Sequence, residues 1–570
     1  MKYFKSLLAV ASCVLAAGLT SCESNESKVE YLPFRSSENG SWGMMTTKGK
    51  VLFEEEFKRK PSAPVNGRFF VEDKDGNYEI YTLEETPQKV GNKYKRICPF
   101  TEDVTPAVEP NQRIKLIDKD GNEVATLEKA RGKNIISATT FHEGLSIIRT
   151  EDGCGCIDTK GEVVIAPIYN ILEACSEGIM LTITNKDNEE GNNNVTAIDK
   201  TGNKLFTIRT SKYWPAASLF KHGRLPVVHI PESDDDDERK CGFIDTKGEI
   251  IFDLSKKYHN ISDWDDETFI FTDGEGYGLS DYKGTTLLRP KYDRLSYAGH
   301  SLLWAGTNGD NGWRHKLIDK EGKEVSSATY RDMTMFFGDH AAVQVSEKRW
   351  SLIDKKGEEV EDLPSIREIS QTDIDEAMYG LEDSHYCTRV YSDFLDVEAI
   401  IEAANITSDG CGVWTIKQSP QQIIRAWQEE TGDYEKAVEP QNFSGKDKLT
   451  YEKEAEDVDI SYEVYYAWYM VNSNYDYWSS SYSYTWATEK PKYVSVTFSG
   501  SKLEGKTSQL YSKLLDIAKD YGSVYKEGKT KALISIGSDS GLYLVDDGSS
   551  VILRRYSNDS YKSFEDDIDD

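Results

Sequence analysis

Histidine is scarce in this 570-residue chain: eight in all, scattered at His142, His222, His229, His259, His300, His315, His340 and His385. There is no His-Glu-x-x-His, no Gly-x-Ser-x-Gly, no phosphate-binding Gly-Lys-Ser/Thr and no dinucleotide fingerprint, which removes the motif-defined protease, hydrolase, nucleotidase and nucleotide-dependent redox classes. Only nine cysteines occur, none in Cys-x-x-Cys spacing, so neither a zinc site nor a full disulfide framework is supported. A basic excess is missing too. Asp plus Glu outnumber Lys plus Arg by 98 to 68, a formal charge of -30, and such a field repels phosphate backbones, which excludes nucleic acid as partner. No run of 18 or more apolar residues exists, so no transmembrane helix is expected.

The length calls for two or more domains. The apolar share is low at 38%, yet 33 tyrosines and 11% aromatics argue against wholesale disorder. Lys2 and Lys5 supply a positive start, and Leu7 to Leu19 form an apolar run too short to span a membrane, as in a secretory signal. Leu19-Thr20-Ser21-Cys22 resembles the bacterial lipobox. The resemblance implies a signal peptide over 1–21, cleavage before Cys22 and lipidation of that residue, two or three acyl chains anchoring where one could not. Glu23-Ser24-Asn25-Glu26 resembles the export tag of surface lipoproteins in Bacteroidetes, implying a surface-exposed outer-membrane location, with a periplasm-facing anchor as the alternative. Residues 22–40 read as an acidic, polar tether. Seven cysteines then remain, and most are expected as small core residues.

From residue 41 to 364 one phrase recurs, clearest as Gly242-Phe243-Ile244-Asp245-Thr246-Lys247-Gly248. Its Asp-x-x-Gly core returns at Asp118 with Gly121, Asp158 with Gly161, Asp199 with Gly202, Asp281 with Gly284, Asp319 with Gly322 and Asp354 with Gly357. Thr46 with Gly49 is the first copy, and the double step from there to Asp118 places a worn copy near Thr82. Eight clear units and one worn one, at a period near 38 residues, signal stacked supersecondary units. Asp at the first position can hydrogen-bond its own turn, and Gly three residues on can take positive φ, the chemistry of a hairpin connection. The turn residues Gly49, Gly121, Gly161, Gly202, Gly248, Gly284, Gly322 and Gly357 are therefore structural candidates, as are the repeated Asp residues. Repetition at every unit is unlike a single asymmetric catalytic site.

These units resemble the WG repeat family. Trp42-Gly43 keeps the naming pair, Tyr277-Gly278 keeps an aromatic, and Cys154-Gly155 and Cys241-Gly242 put Cys for Trp. Pro167-Ile168-Tyr169 and Pro290-Lys291-Tyr292 match its downstream element, Glu143-Gly144-Leu145 and Glu177-Gly178-Ile179 its Glu-Gly-Leu element. The resemblance covers a little over half the chain and is silent on chemistry. Four short strands per unit suit a propeller-like ring, whose closure hides sheet edges, with an open β-solenoid as the alternative.

Two kinds of segment imitate metal sites. Ser233-Asp234-Asp235-Asp236-Asp237-Glu238 reads as a solvated insertion between units, its spacing not that of an EF-hand. Asp73-Lys74-Asp75-Gly76-Asn77 and Asp118-Lys119-Asp120-Gly121-Asn122 look like calcium loops, and Glu84 stands at the twelfth position of the first, but Tyr78 to Tyr81 reads as strand, so a hairpin turn is expected.

Beyond residue 365 the phrase stops and a small α+β domain is expected over 365–556. Phe394, Val397, Ile401 and Ala404 line one helix; Ser419-Pro420-Gln421-Gln422 is a capping box opening a second through Trp427; Leu510, Leu514, Ile517 and Tyr521 mark a third, stopped by Gly522. Strands are expected at 460–471, 482–487, 493–498, 531–536, 541–546 and 550–554. Gly412-Val413-Trp414-Thr415-Ile416 is faintly similar to small envelope-lipoprotein domains. Residues 462–486 are dense in aromatics, read chiefly as a hairpin with cross-strand ring pairs. Tyr475, Tyr477 and Trp478, in a Ser- and Asn-rich loop, are the candidate ligand-contact rings. The acidic segment 557–570 is expected to be disordered.

The expectation is thus a non-catalytic, lipid-anchored cell-envelope protein, with no cofactor, that binds a protein or glycan in the envelope or outside the cell. The alternatives are a propeller-type glycan-processing enzyme, whose paired carboxylates distant units could supply, and a structural component of an outer-membrane assembly.

Overall fold

A computed structural model describes residues 29–183, 194–210, 212–229, 240–255, 257–310, 312–369, 371, 374, 389–433, 446–467, 469–476, 481–487 and 491–568. The chain divides into two compact units between Asp393 and Phe394. Among the described residues the first unit holds nine successive antiparallel meanders. In the fullest, such as Ile171–Leu172, Ile179–Ile183, Val195–Asp199 and Lys204–Ile208, four strands follow in order. The Asp-x-x-Gly turn joins the third strand to the fourth. The worn copy is present: Thr82 N donates to Gln88 O, and Thr82 Oγ1 accepts from Gln88 N at 2.9 Å, a longer loop replacing the glycine.

Burial follows strand position. Second strands are buried on both faces, as in Ile179–Ile183 and Thr268–Thr272, whereas fourth strands are mostly exposed or half-buried. Each junction between neighbouring units holds one apolar cluster: Met44 and Phe53 meet Phe69, Ile179 and Ala197 meet Phe220 and Leu225, and Phe243 meets Phe269 and Trp264. The ninth cluster joins the last unit to the first. Phe337, Trp350 and Leu352 pack with Leu32, Phe34 and Met45. Arg367 N donates to Arg35 O, and the ion pairs Arg35–Glu368 (2.9 Å) and Arg367–Glu38 (3.1 Å) flank that contact. The array returns on itself as a propeller-like ring.

Three boundaries differ from the sequence reading. Tyr31–Phe34, within the supposed tether, is a strand paired with Trp42–Thr46, and Val29 before it is already buried. The ring unit continues past residue 364, because Arg389–Tyr391 adds a fifth strand beside Ser137–Thr139 and Val390 enters the core there. The tail is ordered as a 3-10 helix over Asp559–Asp567, with Tyr561 buried.

In the second unit, seven strands form one antiparallel sheet in the order 446–455, 458–467, 493–499, 551–556, 540–546, 531–536, 523–527. The first and last of these were not anticipated; both are edge strands of mostly charged or polar residues. Helices α1 (Val397–Ala404), α2 (Pro420–Thr431) and α3 (Thr507–Tyr521) share a core with one sheet face through Ile400, Ile423, Trp427, Leu510 and Leu514. The Ser419 capping box forms, with Pro420 in the first turn and left-handed Gly432 at the end. Gly522 ends α3 for another reason: its backbone is extended, and a Cβ there would meet Ser535 O at 2.2 Å. An aromatic-rich hairpin, Tyr469–Asp476 with Ser481–Ala487, pairs apart from the main sheet.

Candidate interaction face on the repeat ring

The repeated turn is built from its aspartate. Asp245 Oδ1 accepts the N–H groups of Lys247 and Glu249, both at 2.9 Å, and Gly248 N returns to Asp245 O. Asp118, Asp158, Asp199, Asp281, Asp319 and Asp354 repeat the pattern, and Thr46 Oγ1 serves in the first unit. These donors favour the charged carboxylate. The Thr201 hydroxyl and the Asn203 N–H hold Asp199 down at about 2. At Asp118 burial pushes upward, but the Asn122 side chain and two backbone N–H groups outweigh it and the net direction is down.

The eight predicted turn glycines all sit at positive φ, from 76° to 84°. Most have a second reason to be glycine. A Cβ on Gly248 would stand 2.5 Å from the Phe206 ring of the preceding unit, and one on Gly49 would stand 2.1 Å from Leu363 beyond the ninth unit. The glycine of the Trp-Gly pair acts differently: at Gly43, Gly155 and Gly278 the fourth strand bulges, bringing a carbonyl oxygen within 2.4–2.7 Å of where Cβ would lie.

A second family of turns joins first strands to second strands. Asn66-Gly67, Glu143-Gly144, Glu177-Gly178 and His222-Gly223 all take positive φ at both residues, as two-residue type I′ hairpins require. Their side chains reach the next unit. Glu102 Oε1 accepts from Gly144 N (2.7 Å), Glu143 from Glu177 N (2.7 Å) and Gly178 N (3.0 Å), and Glu177 from Gly223 N (2.9 Å). His222 Nδ1 lies 2.9 Å from Asp266, and His300 Nε2 lies 2.7 Å from Gly338 O. The residue after the turn aspartate ties the two turn families together: within a unit Lys119 pairs with Asp103, Lys355 pairs with Asp339 and Tyr282 donates to Asp265 O, and across units Lys200 pairs with Glu143 and Lys320 with Asp265. Both turn families therefore lie on one face of the ring. The sequence reading saw the Glu-Gly element but not its partner, which lies 34 to 46 residues on in the next unit.

A charged cluster with buried members sits at units six to eight. Lys221 Nζ and Asp263 Oδ1 are 2.9 Å apart, both nearly buried, with Trp264 Nε1 donating to Lys221 O. Burial pushes Asp263 up, against the pull of Lys221. Arg224 lies over the Tyr282 ring at 4.1 Å, and burial drives the Tyr282 and Tyr297 hydroxyls well above the ordinary tyrosine range. This is the chemistry of a latch between units.

Apolar surface is exposed at one repeated place, the sixth residue after the turn aspartate. Val124, Val164, Leu205, Ile251 and Leu287, in units three to seven, are 38–47% exposed on the fourth, edge strands. Repetition of the unit makes this a spaced belt.

Of the other predicted residues, Cys22 lies outside the described residues, as do Tyr477 and Trp478. Tyr475 belongs to a strand, opposite Tyr482, rather than to a loop; its side chain is likewise outside the description. The six described cysteines are buried and unbridged, and burial pushes the Cys156 thiol up to about 12. Among the described residues no group of three or more His, Cys, Asp or Glu is placed to hold a metal, and no helix is long and apolar enough to cross a membrane.

The fold defines a propeller-like β-repeat protein. The family described as WG containing repeat matches at two places, residues 155–188 and 317–348. Solved structures with similar folds include a eukaryotic initiation factor (12% identity, 60% of this chain and 98% of that one, TM-score 0.42). BamB from Moraxella catarrhalis is similar over 53% of this chain and 83% of its own (13% identity, TM-score 0.24). The C-terminal WD40 domain of Sif2 is similar over 50% and 92% (11% identity, TM-score 0.29). No curated protein matches the chain.

Proposed function

We propose that this protein is a non-catalytic, lipid-anchored binding protein of the bacterial cell envelope whose ring presents edge strands to a protein partner. The observation that carries the reading is the belt of five aliphatic side chains, exposed at one register in five consecutive units. One aliphatic side chain held in water at the same register of five successive edge strands makes a regular row that a partner laid across those strands would cover. The latched turns hold the five strands in fixed relation, so a partner meets a pre-organised surface and spends little on ordering it. The lipobox ending at Cys22 supports the anchor, and the acidic tag after it supports display on the outer membrane.

The test replaces Leu205 and Ile251 together by Asp in the lipid-bearing protein and measures partner capture by in-cell crosslinking. Capture should fall at least tenfold with the melting temperature held within about 2 °C, since exposed substitutions scarcely move stability. Undiminished capture would remove the belt from the binding surface.

A further inference from the structure

The second face of the C-terminal sheet is a field of rings. Tyr465, Tyr493, Tyr543 and Tyr556 cluster there with Leu533, on the side opposite the helices. What covers them is the chain's own tail. Tyr561 is fully buried with its hydroxyl 3.0 Å from Ser535 Oγ, Phe564 stacks on Tyr543 (4.4 Å between centroids, 9° between planes), and Ile568 closes the far end. Two cations on the edge hairpin hold the tail's backbone: Lys526 donates to Glu565 O (2.9 Å) and Lys531 to Asp567 O (3.0 Å). Tyr525 donates to the Glu565 carboxylate at 2.9 Å.

The tail is a poor element in its own right. It runs nine residues as a 3-10 helix, where runs beyond three or four are uncommon because the hydrogen bonds align badly. Between Asp559 and Asp570 it carries six acids against the single cation Lys562. Such a segment takes its shape from the surface that receives it. The edge strand that holds the tail also keeps apolar surface in water: Val524 and Tyr525 are each 44% exposed.

We propose that this tyrosine face is a docking site for an acidic peptide segment with aromatic anchors three residues apart, and that the tail is its resident occupant, displaced when a partner segment of that kind binds. The anchors fill the ring field, and Lys526 and Lys531, by holding the backbone carbonyls of Glu565 and Asp567, set two cations beside the acidic run on a chain of net charge -30. The inference concerns the second unit and stands apart from the belt on the ring.

Hydrogen exchange of the intact chain is the first measurement. Amides of 559–567 should exchange at least a hundredfold faster than those of the strands at 540–546 and 551–556, because the tail opens without the sheet. Equal protection overturns the proposal by making the tail part of the core. The second uses the full chain carrying Phe564→Ala, which loosens the resident tail, and a synthetic peptide of residues 557–570 as the probe. The peptide should bind this variant at least tenfold tighter than it binds wild type, and a peptide with its acids changed to Lys should bind neither. Failure of the peptide to bind the variant, or binding by the charge-reversed peptide, contradicts the assignment.

Discussion

Gly248 carries two constraints at once, and only one can be read along the chain. Its φ of 81° follows from the Asp-x-x-Gly turn, which is local chemistry. The 2.5 Å approach to Phe206 comes from a neighbouring unit, 42 residues back, and no periodicity announces it. Gly248→Val should therefore cost about 1–3 kcal/mol from backbone strain, with the clash against Phe206 added. Loss of hydrogen-exchange protection should be greatest at units five and six; an unchanged melting midpoint would refute the turn's role. Lys221 makes the complementary case. Its partner Asp263 is buried, so Lys221→Met strips that carboxylate of its cation and should cost about 3–5 kcal/mol. A denaturation midpoint matching wild type would show the pair to be dispensable. Neither Lys221 nor Asp263 stands out in the sequence, since one Lys–Asp contact among so many charges has no signature.

At the scale of elements, the turns were legible and the latches were not. Asp, x, x, Gly fixes a hairpin in four residues, whereas Glu143 finds its acceptor role only when unit five is placed beside unit four. The tail misled for a related reason. Its acidic composition reads as disorder, while three anchors, Tyr561, Phe564 and Ile568, suffice to seat it once the tyrosine face exists. The turns also set an acid response. Asp199 is held at about 2, and Asp118 and Asp281 are held below the ordinary 3.8: burial raises both, but hydrogen bonds from Asn122 and its neighbours and from Thr285 prevail. Because the folded pKa values lie below the unfolded ones, this contribution is full above about pH 4–5 and disappears as pH falls through the folded values, about 2 for Asp199. The melting temperature should thus decline from about pH 4 to pH 2. Changing Asp199 to Asn should flatten part of that decline; an identical pH profile would exclude the turn aspartates as its source.

For the whole molecule, the repeat count near nine and the mainly β class follow from the spacing of one phrase. Closure does not, because the contact between Arg35 and Arg367 spans 332 residues and depends on the twist summed over every unit. Localisation enters at this scale as well. Cys22→Ala should abolish incorporation of labelled palmitate and release the protein from membranes; labelling equal to wild type would exclude the lipobox reading.

Ring closure is the claim on which the fixed belt depends, and zero-length crosslinking tests it most directly. Arg35 faces Glu368 at 2.9 Å across the junction of the last unit with the first. In the Arg35→Lys variant, a carbodiimide should join residue 35 to Glu368 within a single dilute molecule, as readily as it joins Lys316 to Glu324 inside unit eight. Recovery of the Lys316–Glu324 link without the 35–368 link would mean that the array is open, and the ring would have to be abandoned.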